Sequence, residues 1–197
     1  MPALLAILGG TGAEGFGLAL RFAHAGLPIL IGSRDLARAQ AAAARVPNAT
    51  GLLNAAAAAR ADIIILTVPR SARLDCLPYL RPGVIVIDAT VAVPPDPTAA
   101  PLPVPAGVSL VAAFHTVSAV LLQQLDHPLD SDILLCGDDA AAKAAVSELI
   151  GLLPGARPVD AGPLKIAPLL ESLTSLLIAI NGRYKVKHSG IRITGLP

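Results

Sequence analysis

Residues 6–23 read AILGGTGAEGFGLALRFA, an apolar run set directly against five glycines within nine residues, Gly9 to Gly17. Glycine costs roughly 0.5–1 kcal/mol relative to alanine in regular structure, so such a cluster marks backbone that something approaches closely. Within it, Gly10-Thr11-Gly12-Ala13-Glu14-Gly15 is a G-x-G-x-x-G fingerprint. It ends a strand pattern, opens a helix pattern and precedes a second strand pattern, the context in which the fingerprint is informative. Gly10 permits the tight turn, Gly12 lets a pyrophosphate touch the backbone, and Gly15 lets the helix pack on the strand. The helix N-terminus adds N–H donors and a positive dipole end. The expected ligand is a dinucleotide.

Outward from this stretch, short apolar runs alternate with alanine-rich helical patterns. ALLAILG reads as a strand, GFGLALRFAHAG as a helix ending at Gly26, LPILIGS as a strand and RDLARAQAAAARV as a helix. NAAAAARA is a short helix before the strand DIIILTVP; SARLDCLPYL reads as helical, and GVIVIDATV as a fourth strand. VSLVAAF and DILLCG continue the strands, VSAVLLQQL and DDAAAKAAVSELIGLL the helices, and ARPVDAG suggests a short strand. Asp138 or Asp139 is placed to cap the helix that follows it. LKIAPLLESLTSLLIAINGRYK is a long helix apolar around most of its circumference, which needs burial in its own domain or against a second subunit. Strands apolar at nearly every position are covered on both faces, as in a parallel sheet. The expected class is α/β: a Rossmann-like, doubly wound, mainly parallel sheet with a small C-terminal helical or mixed part. A division into residues 1–145 and 146–197 follows, with a proline-rich loop over 92–107, a connector, the rim of a ligand cleft or a dimer contact.

The dinucleotide is chosen at the end of the second strand. An NAD site places Asp or Glu there for the ribose 2′-hydroxyl. This chain has Ser33-Arg34, with Ser33 23 positions beyond Gly10 and Arg38 one helical turn further on. A hydroxyl and guanidinium groups suit a 2′-phosphate, which a carboxylate repels. The expectation is NADP, with Asp35 starting the next helix and Thr11 available to phosphate. Thr67-Val68-Pro69 and Ala89-Thr90-Val91 fall at the carboxyl ends of later strands, where ribose and nicotinamide would lie.

Composition narrows the classes. Charged residues are 15%, hydrophobic ones 54%, and the formal net charge is +1 without like-charge blocks. That composition argues against disorder and offers no basic stripe for nucleic acid. Mean hydropathy is +0.66, yet the uncharged stretch 101–122 holds three prolines and reads as loop, strand and helix start rather than a membrane span. MPALLAILGG lacks the basic region of a signal peptide. Cys76 and Cys136 have no metal-binding spacing and read as core thiols in a reducing cytoplasm. His24 suits a helix surface, His127 a turn and His188 a polar tail; His115 directly follows a strand.

Several segments together, GGTGAEGFGLALRFAHAG, IGSRD, LTVP, IDATV, VAAFHTVSA, DHPLDSDILLCGDD and LESLTSLLIAINGRYKVKHSGIRITG, resemble the F420-dependent NADP reductases over nearly the whole chain. The resemblance implies hydride transfer between C5 of the deazaflavin F420 and C4 of nicotinamide, with NADP and coenzyme F420 as cofactors. It also implies a homodimer. By position, Thr11, Ser33 and Arg34 correspond to readers of the phosphates, Thr67, Val68 and Pro69 to cofactor-facing residues, and His115, Thr116 and Ser118 to the deazaflavin wall, His115 orienting the ring. Arg183, Lys185, Lys187 and Arg192 would serve an anionic F420 tail, or form a solvated basic end. The chain departs from the family pattern at 94–105 and at VPRSAR, both near the expected cleft. Other readings of the residues are an NADPH-dependent reductase of a flavin, metal chelate or small carbonyl or imine, and a non-catalytic NADP-binding redox sensor.

Overall fold

The computed structural model describes residues 3–92, 94–96, 98 and 100–196. Its centre is an eight-stranded sheet in the order β3-β2-β1-β4-β5-β6-β7-β8. The strands are β1 (Leu5–Leu8), β2 (Ile29–Ser33), β3 (Ala49–Leu53), β4 (Ile63–Leu66), β5 (Ile85–Asp88), β6 (Ser109–Ala113), β7 (Ser131–Gly137) and β8 (Ala156–Asp160). β3 to β6 are parallel throughout; β7 runs antiparallel to β6, and β8 parallels β7. The chain order reverses beside β1, and in such sheets the crevice at that reversal is where ligands bind.

The alternation of side chains sorts the core into layers. Leu5 and Ile7 pack with Phe16, Leu18 and Phe22 of α1 (Ala13–His24), Leu122 of α4 (Ala119–Leu122) and Val146 and Ile150 of α5 (Ala140–Gly151). Ala6 and Leu8 face the other way, onto Ala57 and Ala58 of α3 (Asn54–Ala58) and onto Cys76 and Leu80. Ala112, Leu134 and Cys136 meet Ala167 and Leu170 of α6 (Ala167–Tyr184) on that second face. The doubly wound expectation holds. Both thiols are buried and free, and burial pushes them up to about 11 for Cys76 and about 12 for Cys136.

Three sequence expectations need correction. Residues 49–53 form an edge strand, paired to β2, that the sequence pattern does not announce. SARLDCLPYL is not one helix but two 3-10 segments, Arg70–Ala72 and Leu74–Tyr79, with Pro78 preventing α-helical bonding. VSAVLLQQL contributes a single turn, α4. Of the two coverings expected for the apolar α6, its own domain supplies little: 28% of its most apolar window is buried, and Leu169, Leu176 and Ile178 lie open. By length and composition it is the one helix among the described residues that could cross a membrane. The boundary expected at 145 falls inside α5, and β8 extends the same sheet. In the proline-rich loop, positions 93, 97 and 99 lie outside the described residues, while Leu102 is buried in the second layer.

Candidate functional site

The glycine loop sits where β1 hands over to α1. Gly12 is the N-cap of α1 in an extended conformation, and no side chain caps the helix. The first-turn N–H groups are therefore left for a ligand or water. A Cβ built on Gly12 meets nothing closer than Gly9 O at 3.4 Å, so its Cα faces open space. Gly15 is the opposite case: a Cβ there would overlap Thr67 Oγ1 and stand 2.9 Å from Gly10 Cα. Gly15 thus serves helix–strand packing, and Gly12 keeps a cradle clear. Glu14, half-buried in the first turn, has its carboxyl pushed up to about 8 by burial. It stays largely uncharged at neutral pH and does not oppose an anion at this helix end.

In front of the loop lies a cleft of about 400 Å³ lined by Gly9, Thr11, Gly12, Ser33, Arg34, Asp35, Arg38, Asn54, Thr67, Val68 and Pro69. Arg34 and Arg38 are exposed at its edge, and no ion pair engages either among the described residues. Asp35 caps α2 (Leu36–Ala43) by accepting from Arg38 N at 3.2 Å, as expected. Ser33 is buried and accepts from Asp35 N, which leaves its hydroxyl proton to donate elsewhere. Thr67 donates to Leu8 O at 3.1 Å. Asn54 is an addition to the expected set. It is buried, lines the cleft, and its Oδ1 has no partner.

A second groove, about 310 Å³, runs between the segment after β6 and α6, lined by His115 to Val120, Thr174, Leu177, Ile178, Asn181, Lys187 and Ser189. Just before it, Phe114 has φ +71°, in the left-handed region that a bulky residue adopts only under constraint, its ring buried in the core edge-on to Phe22 at 6.2 Å. His115 follows, buried, with neither ring nitrogen partnered, while its carbonyl accepts from Thr174 Oγ1 at 2.6 Å. Burial lowers its pKa, Asp88 and Glu171 oppose that, and Arg70 adds to it. Thr116 is buried in the groove wall. Ser118 caps α4 and donates to Lys187 O at 2.8 Å.

A layer of charge that motif reasoning did not find ties the turn after Pro69 and the end of β5 to α6 and the loop near residue 100. Arg70 bonds Glu171, and Arg73 Nη1 meets Asp88 Oδ2 at 3.2 Å. Asp88 also accepts from Thr90 N and Oγ1, so the Thr90 hydroxyl is engaged inside the protein; Val91 lies half-buried beyond it. Arg192 is not a free rim cation, because it pairs with Asp130 and Asp132. Arg183, Lys185, Lys187 and His188 are exposed, His24 bonds Leu20 O, and His127 lies in a turn after α4.

Fold and loop together define a Rossmann-like α/β protein with a second groove beside the dinucleotide cradle. The sequence model of the family described as "NADP oxidoreductase coenzyme F420-dependent" matches residues 4–92. The F420-dependent NADP reductase of Methanothermobacter thermautotrophicus is 37% identical over 221 aligned residues, covering 98% of this chain and 95% of that protein. That of Methanocaldococcus jannaschii is 37% identical over 220, covering 98% of each. The chain belongs to the F420-dependent NADP reductase family. A crystal structure of a putative F420-dependent NADP reductase from Arthrobacter sp. FB24 shares the fold at TM-score 0.77 and 21% identity, covering 98% of this chain and 100% of that one. An imine reductase from Aspergillus terreus in complex with NADPH4 does so at TM-score 0.71 and 20% identity, over 94% of this chain and 63% of its own.

Proposed function

We propose that this chain catalyses reversible hydride transfer between C4 of the nicotinamide of NADP and C5 of the deazaflavin of coenzyme F420. The observation that carries the reading is a link between two sites: the arginine-edged cleft, whose one carboxylate, Asp35, is engaged in capping α2, and the groove at His115, connected by Pro69, the Arg70 that follows it, and Glu171 one turn before Thr174. The α1 N-terminus at Gly10, Thr11, Gly12, Ala13, Glu14 and Gly15 holds the pyrophosphate. Ser33, Arg34 and Arg38 hold the 2′-phosphate. Thr67, Val68 and Pro69 border the ribose and nicotinamide, with Thr90 and Val91 shaping the mouth of β5. His115, Thr116 and Ser118 wall the second ring.

The two rings supply the hydride chemistry, so the protein's task is to hold donor and acceptor carbons about 3–3.5 Å apart with faces aligned. The unpartnered nitrogens of His115 orient a ring edge by hydrogen bonding, and Leu177 and Ile178 keep water from its face. Lys187, with Arg183 and Lys185, serves the anionic F420 tail. Residues 1–145 carry the NADP side, and 146–197 complete the groove. A second copy of the chain covers Leu169, Leu176 and Ile178 of α6, making a homodimer, and free buried thiols suit a reducing cytoplasm. The test is isotopic: NADPH carrying deuterium at C4 delivers the label to C5 of reduced F420. Label lost to solvent contradicts direct transfer.

A further inference from the structure

Arg70 and Glu171 are 101 residues apart in sequence and paired in space, in a chain where few residues are charged. Neither lines a site itself, but each is next to a residue that does. Arg70 follows Pro69, which lines the dinucleotide cleft; Glu171 stands one turn before Thr174, which lines the groove and bonds the His115 carbonyl. Both side chains are largely withdrawn from solvent, at 17% and 8% exposure. A buried pair of this kind is weak as a source of stability, because desolvation offsets attraction, and its best-attested use is to fix an arrangement. Here the arrangement is α6 held at Glu171 against Arg70, beyond the end of β4, and at Thr174 against the His115 carbonyl, beyond the end of β6, just after the strained Phe114.

We propose that Arg70 and Glu171 are a positioning pair for the second substrate: their bridge docks α6 beside the dinucleotide cleft and sets the charge that His115 meets where the deazaflavin enters. The inference rests on the function proposed above. The two residues contact no nucleotide site themselves; they act through α6 and through His115. The charged groups facing the imidazole are Arg70 from the turn after β4, Asp88 from the end of β5, itself paired with Arg73, and Glu171 from α6. Arg70 disfavours the imidazolium, whereas Asp88 and Glu171 favour it. The two ends of one bridge thus act on His115 with opposite sign.

That asymmetry gives the experiment. R70Q and E171Q break the same contact, and both raise KM for F420 about tenfold or more while the NADPH dissociation constant stays within about twofold. The His115 imidazole, followed by NMR titration of the ligand-free protein, moves to higher pKa in R70Q and to lower pKa in E171Q. The exchange R70E/E171R rebuilds the bridge and brings the raised KM partly back down, while the reversed charges keep the His115 pKa away from its wild-type value. If a single variant does not fold, R70K, which keeps the charge and loses the planar fork, raises KM for F420 in its place. Unchanged KM in the folded variants, or His115 shifts of the same sign, overturns the proposal. These outcomes are separable from failure of the reaction itself. Wild-type protein inactive toward F420 sinks the proposed function, whereas the imidazole shifts are read without F420.

Discussion

Gly12 and Gly15 stand three residues apart in one fingerprint, yet the structure gives them different tasks, and alanine at each separates the tasks. At Gly12 the backbone is φ −78° and ψ 164°, which alanine adopts freely, and its methyl meets only Gly9 O at 3.4 Å. Two small effects on stability then oppose each other. Loss of unfolded-state freedom stabilises by about 0.4–1 kcal/mol. Alanine's poor performance at an N-cap costs about the same, since glycine falls only a few tenths short of the good caps. The net change is within about 0.5 kcal/mol, a Tm change of roughly 2 °C at this chain length. The methyl instead occupies the space into which the pyrophosphate must come. Overpacking costs about 1–3 kcal/mol, so NADPH affinity falls about 5- to 150-fold. Gly15→Ala inverts the pattern. Its methyl has no room against Thr67 Oγ1 and Gly10 Cα, and Tm falls by several degrees, roughly 2–4 °C for each kcal/mol of overpacking. Thermal unfolding of the free proteins and calorimetric titration with NADPH measure both. A Gly12→Ala protein that folds normally and binds NADPH as tightly as wild type refutes the cradle.

Other predictions are briefer. Arg34→Ala weakens NADPH binding about tenfold, the lower end of the 1.5–3 kcal/mol for a charge-assisted hydrogen bond because this guanidinium is exposed; NADH binding stays nearly unchanged, and equal losses contradict the assignment. Arg21, buried in α1, donates to the carbonyls of Leu121, Leu122, Gln124 and His127. Arg21→Leu strands them and lowers denaturant stability by about 3 kcal/mol; a loss under about 1 kcal/mol argues that water replaces it. Asp132 is fully buried between Arg157, Arg192 and Ile193 N, and the Arg157 bond above all holds its carboxyl well below the usual carboxylate range. Its stabilisation is present above the unfolded pKa and lost as pH falls, so Asp132→Asn, costing about 3–5 kcal/mol at pH 7, loses part of the acid destabilisation seen in wild type. Glu14 has the opposite sign: its raised pKa means that the folded state holds the proton longer, so stability declines as pH rises from about 4.5 toward 8. Glu14→Gln removes that decline, and parallel pH–stability curves would contradict it.

Local pattern revealed what depends on local pattern. The glycine loop, the Ser33-Arg34 turn and the Asp35 and Asp139 caps are legible because spacing along a few residues dictates each. β3 escaped because ATGLL is a half-exposed edge strand interrupted by Gly51, without the continuous apolar run of its neighbours. Pro78 was visible, but only the fold shows that the segment settles for 3-10 turns. Arg70–Glu171 and the Arg21 clamp join residues about a hundred positions apart, and no periodicity encodes such pairings. A signal did exist for Arg21 and Glu171: one charge inside an apolar helical pattern, in LALRFA and in LLESLT, demands a buried partner. The exposure of α6 was unreadable, since an apolar helix covered by its own sheet and one awaiting a second copy share the same sequence pattern.

The proposed hydride transfer is measured most directly by mixing the protein with NADPH and F420 and following the visible absorbance of the deazaflavin. F420 bleaches mole for mole with the oxidation of NADPH, NADH reacts far more slowly and FMN is not reduced. Tight binding of NADPH with F420 left unbleached, or FMN reduced as fast as F420, would contradict the proposal.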